Sequence, residues 1–147
     1  MSLPAQDEIR ETINRSGCDL FAFFQGGANA DPDPDDQCFI HSISHRDTEL
    51  LAVDIRRDDA PGVSGLITDL MKNWDSAPVR PGETCLTLGG NLMLQVVEPH
   101  EKFLDEIMNK AVRAAVDYRG STDFSVLLLI PIRRLTDEEV EEIRAAR

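Results

Sequence analysis

The sequence predicts an α+β fold: a mostly antiparallel sheet of about six strands, built from two hairpins plus single strands and packed with about four helices. Three observations carry that expectation. Residues 61–74 and 99–116 set apolar side chains on one helical face, two pairs of short apolar runs flank turn-forming residues, and residues 126–130 read Val-Leu-Leu-Leu-Ile without a polar break. At 147 residues the chain has the size of one ordinary domain, long enough to bury roughly two thirds of the surface its unfolded form exposes. Residues 1–147 are therefore expected to form a single α+β domain.

Taken in order, Ile9 and Ile13 lie four apart among charges and Gly17 follows, which predicts a short amphipathic helix over residues 5–16. Leu20, Phe21, Phe23 and Phe24 then form a compact aromatic run, read as a buried strand. The stretch of about 25–37 combines Gly26 and Gly27 with Pro32, Pro34 and four aspartates, and predicts an exposed acidic loop. Residues 38–44 and 48–56 pair as a hairpin around His45, Arg46 and Asp47, with Leu51, Val53 and Ile55 alternating inward.

In residues 61–74, Val63, Leu66, Ile67, Leu70, Met71 and Trp74 share one helical face, so this helix must lie on a sheet or another helix. A proline-bearing connector over 76–82 leads to a second hairpin, 83–88 with 92–97, around Gly89, Gly90 and Asn91. Pro99 opens a long helix whose apolar face holds Phe103, Leu104, Ile107, Met108, Ala111, Val112, Ala115 and Val116, and Gly120 ends it. The strand over 124–132 lacks polar alternation and should be covered on both faces, by helices or by a second subunit. Last, Thr136 and Glu139 form a capping box for a final helix, with Leu135 and Val140 as its staple.

The charge of −12, from 27 acidic against 15 basic residues, repels phosphate backbones and anionic headgroups, so neither nucleic acid nor a membrane is an expected partner. It attracts basic partners and also keeps a protein soluble, and solubility is the plainer reading. Cys18, Cys38 and Cys85 lack the spacing of a disulfide framework or a zinc ribbon and read as reduced core residues. The chain start carries no positive and apolar leader pattern and no run of about 18 apolar residues occurs, which makes the cytoplasm the expected compartment.

Candidate chemistry is sparse, and no catalytic, cofactor-binding or metal residue is assigned. Cys38, His41 and His45 have ligand types that zinc favours, but on a strand the histidines stand about 13 Å apart and Cys38 and His41 point to opposite faces. Asp31, Asp33, Asp35 and Asp36 offer hard oxygens without the glycine and glutamate of a calcium loop, and read as a solvated loop or a docking arm. Gly62 and Gly65 open a helix whose amides suit an anion, although no phosphate-loop, dinucleotide or hydrolase motif is present. A nucleophile would have to be one of the three cysteines, and spacing sets none of His41, His45 or His100 beside them. His100 is expected as a capping or surface histidine, and Arg133 and Arg134 are expected to pair with the acidic last helix or to face a partner.

The element order, small size and acidity together are similar to those of class I secretion chaperones and related regulator domains, over roughly residues 5–118. Element order carries this resemblance and no residue motif does; the 126–130 strand and the capped last helix depart from the pattern. It implies a dimer that wraps an unfolded segment of another protein. Small immunity-type inhibitors, which set negative surfaces against basic enzymes, belong to the same functional class. The expected function is thus an acidic protein-binding or regulatory module, homodimeric in one form, that engages a basic or unfolded partner. The alternative is a small metal-assisted enzyme with a site near His41, His45 and the Asp31 to Asp36 loop.

Overall fold

A computed structural model of the chain describes residues 4–24, 37–87 and 91–145. The acidic stretch before Gln37 and the Gly89–Gly90 turn lie outside the described residues. The observed order is α1 (Pro4–Ser16), β1 (Asp19–Phe24), β2 (Gln37–Ile43), β3 (Thr48–Arg56), α2 (Ala60–Lys72), β4 (Thr84–Leu86) and β5 (Leu92–Val97). After β5 come a 3-10 turn at Glu101–Phe103, α3 (Leu104–Glu106), a π turn at Ile107–Ala111, α4 (Arg113–Arg119), β6 (Ser125–Arg134) and α5 (Asp137–Ala145). Among the described residues the strands form a six-stranded sheet in the order β1-β2-β3-β6-β5-β4. Only the β3–β6 pair within it is parallel, so the fold is the mostly antiparallel α+β class that the sequence predicts.

β6 occupies the middle of this sheet, which explains its unbroken apolar run. Leu127 and Leu129 join the core under α2, while Val126 and Leu128 join a second cluster on the opposite face. Both faces thus carry clusters of the chain's own residues, with Val126 and Leu129 buried and Leu127 and Leu128 half-buried. Pairing with β3 stops at Leu129, so Pro131, which has no N–H to donate, lies where β6 keeps a single neighbour.

α2 follows the helical pattern of its sequence: Val63, Ile67 and Met71 are fully buried against Ile40, Leu50, Ala52, Leu94, Val96 and Leu129. At the end of α1, Gly17 takes φ 90° while its N–H donates to Ile13 O at 2.8 Å. A Cβ there would also meet Lys72 Cα at 3.2 Å, so glycine serves both the left-handed turn and a close approach to the end of α2. The capping box forms as expected: the Glu139 N–H donates to Thr136 Oγ1 and the Thr136 N–H to Glu139 Oε1, each at 3.2 Å. Arg133 pairs with Glu139, whereas Arg134 reaches Asp59 at 2.6 Å rather than the last helix.

Three expectations need correction. β1 is an edge strand with one neighbour among the described residues, and two rings of its aromatic run are not buried: Phe21 and Phe23 are 45% and 52% exposed. In β3 the inward alternation breaks, because Val53 and Asp54 together oppose Phe39 in a bulge, with Asp54 at φ 56°. Leu51 and Val53 consequently face one side and Ile55 the other, under α2. Finally, the helix after Pro99 is interrupted by the π turn, where the Val112 N–H donates to Ile107 O, five residues back, at 2.9 Å.

The interruption follows from the apolar spacing. Phe103, Ile107, Ala111 and Ala115 recur every fourth residue, as do Leu104, Met108, Val112 and Val116. At about 100° per residue, three such steps carry a regular α-helical stripe about 120° around the axis, away from the sheet. A π turn accommodates one extra residue and takes back about 100° of that drift, which keeps the stripe on one side.

Asp54 offers a test of the bulge. Asp54→Gly should leave stability unchanged or raise it, and Asp54→Val should lower it by about 1–2 kcal/mol, because a β-branched side chain is strained at positive φ. Urea unfolding of the two variants measures both, and equal midpoints would contradict the strain.

Candidate functional site

α1 and the interrupted helix lie over the sheet face opposite α2, and they cover it unevenly. Ile13 of α1 with Val112 and Ala115 packs against Ile43, Leu51 and Val126, and this part is closed. The earlier half of the interrupted helix stands off. Phe103 is 48% exposed, and Ile107 and Ala111 are only partly buried.

Beneath that half runs an open groove of about 810 Å3. Its sheet side consists of Leu51 and Val53 of β3, Leu128 of β6 and Val97 of β5; Phe103, Ile107 and Ala111 line the helix side, and Phe23 and Phe39 close the end toward β1. The two end rings stack with centroids 5.2 Å apart. A smaller hollow of about 310 Å3 shares Phe23, Phe39 and Val53 with the groove and extends it to Gln37, Cys38 and the bulged Asp54. Polar side chains stand at the rim, where exposed Glu98, His100, Glu106 and Lys110 border the opening. Lys110 Nζ lies 3.8 Å from Glu106 Oε1 with both side chains exposed, a weak pair in water. His100 caps the helix start, its Nδ1 accepting from the Lys102 N–H at 3.2 Å, and its ring meets Phe103 edge-on.

Beyond the groove, the structure separates the residues that the sequence offered for chemistry. Cys38 packs under α2, whereas His41 lies on the other face, fully buried, with its ring 5.5 Å from that of Phe21. His45 is exposed and stacks on Tyr118, Nε2 to Oη 2.8 Å. The three therefore do not converge, and no group of three or more His, Cys, Asp or Glu side chains suited to a metal occurs among the described residues. Burial, joined by the nearby Glu49 and Asp19 carboxylates, raises the Cys18 thiol to about 11 against the hydroxyl of Thr68. Burial also raises Cys38, opposed by Arg57. Both stay thiols near neutral pH, the wrong state for a nucleophile. Cys85 is half-buried against the core under α2. Asp31, Asp33, Asp35 and Asp36 lie outside the described residues.

One polar constellation escaped the sequence reading. Glu49, at the start of β3, has no exposed surface. Its Oε1 accepts from Ser42 Oγ at 2.8 Å and Ser44 Oγ at 2.9 Å, and its Oε2 accepts from the Ser44 N–H and from Arg119 Nη1, each at 2.8 Å. Arg119 also donates to Ser44 O at 2.9 Å and Arg46 O at 2.6 Å, and its guanidinium lies over the Phe124 ring, 4.5 Å from the centroid. Burial pushes the Glu49 carboxyl up, against the pull of the Ser44 N–H, the two hydroxyls and Arg119. This knot ties the β2–β3 hairpin to the end of α4 and anchors the closed half of the interrupted helix.

No membrane-crossing helix, in length and apolarity, occurs among the described residues. Comparison with protein-family models, curated proteins and solved structures finds no match to this chain.

Removing one partner of the buried pair strands the other. Arg119→Met should cost about 3–5 kcal/mol in urea unfolding, and the double variant with Glu49→Gln should cost less than the sum of the two single variants. Strict additivity would show that the two groups are not coupled.

His41 gives a pH dependence of defined sign. Burial lowers its pKa below 6.5, only partly offset by the hydrogen bond between Nδ1 and Ser42 O at 3.0 Å, and Nε2 has no hydrogen-bond partner among the described residues. Unfolding therefore takes up a proton, so this contribution is complete above 6.5 and is lost as pH falls through that value toward the depressed folded pKa. Glu49 has the opposite sign but is present in both proteins compared. Between about pH 8 and about pH 5, wild type should lose more stability than His41→Leu. Parallel curves of urea midpoint against pH would refute this.

Proposed function

We propose that this chain is an acidic protein-binding module that takes an apolar segment of a partner protein into the groove beside the interrupted helix. One observation carries the reading: an open, apolar hollow of about 810 Å3 bordered by half-exposed Phe23 and Phe103. Water held against such surface is released when a partner covers it, and that release is the main favourable contribution to association. The volume also falls in the rough 300–1,000 Å3 range of small-molecule sites. Yet the groove is open and continues into a second hollow toward the sheet edge, a shape suited to successive side chains of a polypeptide.

A second copy of the chain is the weaker occupant. The strand that suggested a dimer has clusters of the chain's own residues on both faces, with Leu128 at the groove, and two molecules of charge −12 repel one another. Catalysis also draws less support: the groove's titratable groups, Glu98, His100, Glu106 and Lys110, border its mouth, whereas catalytic groups are characteristically buried and convergent. Free, buried cysteines at Cys18 and Cys38 accord with a cytoplasmic setting.

The test uses the neutral apolar dye Nile red on the folded protein. Wild type should bind the dye, and Phe23→Asp and Phe103→Asp should weaken binding about tenfold or more, roughly the effect of losing 1.4 kcal/mol. Both rings are half-exposed, so circular dichroism should stay unchanged. A short amphipathic peptide should displace the dye. Displacement by small amphiphiles but by no peptide would end the reading.

A further inference from the structure

We infer that the segment received by the groove is cationic, with apolar side chains flanked by lysine or arginine; this rests on the groove reading. The observation is the distribution of charge around the opening. Glu98 and Glu106 border it, and Glu101 and Asp105 are exposed on the same stretch of chain. Asp54 borders the adjoining hollow at the other end.

The local cations do not cancel these groups. Residues 98–110 hold four carboxylates against Lys102 and Lys110. Lys110 stands beside Glu106, and Lys102 Nζ lies over the Phe103 ring, 5.1 Å from its centroid. The opening therefore keeps an excess of negative charge within the longer field of a chain at −12. An acidic segment would meet repulsion on both scales and a neutral one would leave the carboxylates without partners, whereas a basic one is drawn in and held across the mouth. Fields focused at a low-dielectric cleft act more strongly than the same charges dispersed over a convex surface.

The experiment uses the intact protein and four labelled peptides, read by fluorescence anisotropy. Three share one amphipathic apolar pattern and carry lysine and arginine, glutamine and serine, or glutamate at the polar positions; the fourth keeps the basic residues but has serine at every apolar position. The basic amphipathic peptide should bind about tenfold or more tighter than the neutral one, and the glutamate peptide weakest. The preference should shrink when salt rises from about 0.1 M to about 1 M, where the screening length falls from about 10 Å to about 3 Å. Glu98→Gln with Glu106→Gln should bring the basic peptide toward the neutral one and leave the neutral one unchanged.

Phe23→Asp separates groove binding from general attraction, because it deletes an apolar wall while adding a negative charge. Weaker binding of the basic peptide supports the inference. Stronger binding, or equal binding of the serine-substituted peptide, overturns it. Equal affinity for the three amphipathic peptides overturns the charge inference and leaves the groove reading standing. Binding by none of the three overturns both.

Discussion

The central position of β6 constrains the rest of the molecule. A strand paired on both sides with alternate side chains pointing to both faces needs two covers, and the chain supplies them unequally. α2 lies along one face with Val63, Leu66, Ile67 and Met71 of its apolar stripe buried. The other face receives α1 and a helix whose apolar residues repeat every fourth position, a spacing that a regular α-helix cannot keep against a sheet. The π turn at Ile107–Ala111 is the local solution, and it leaves Phe103 and Ile107 over a hollow rather than in a core.

The closed half of that helix is held by more than packing. Glu49 is buried so completely that its charge is tolerable only with the Ser44 amide, two serine hydroxyls and Arg119 around it. Arg119 in turn donates to the carbonyls of Ser44 and Arg46, so the β2–β3 turn and the end of α4 are tied together. A buried ion pair is poor evidence of net stabilisation, but it specifies geometry well, since any other arrangement strands a charge. Its location fixes the α4 end of the interrupted helix and leaves the other end to define the width of the groove.

Much of the architecture was legible in local patterns. The α2 stripe, the Thr136–Glu139 box and the His100 cap depend on neighbours within one or two turns, and all three form as their spacing indicates. The exposure of Phe21 and Phe23 was not legible, because local pattern does not encode which strand ends at the sheet edge. The Glu49–Arg119 pair joins residues 70 positions apart, beyond the reach of any spacing rule. The bulge at Asp54 left only an aspartate near the end of an apolar strand, which a solvent-facing position explains equally well. The π turn is different: its signal, two apolar series at strict intervals of four, stood in the sequence and was absorbed into the broad apolar face of an ordinary helix.

The acidity of the groove mouth has a local cause as well as a consequence. A helix start that stands off the sheet must be solvated, and carboxylates at its first turns complement the positive end of the backbone dipole, so Glu101, Asp105 and Glu106 are suited to their positions without any partner. What distinguishes them is coincidence in space with an apolar hollow, because the two features act on different steps of an encounter. Long-range charge raises the rate at which an oppositely charged segment arrives, and burial of its apolar side chains sets how long it stays. The uneven cover over β6 therefore creates both terms at one place: it leaves the hollow open, and it exposes the charged helix start beside it.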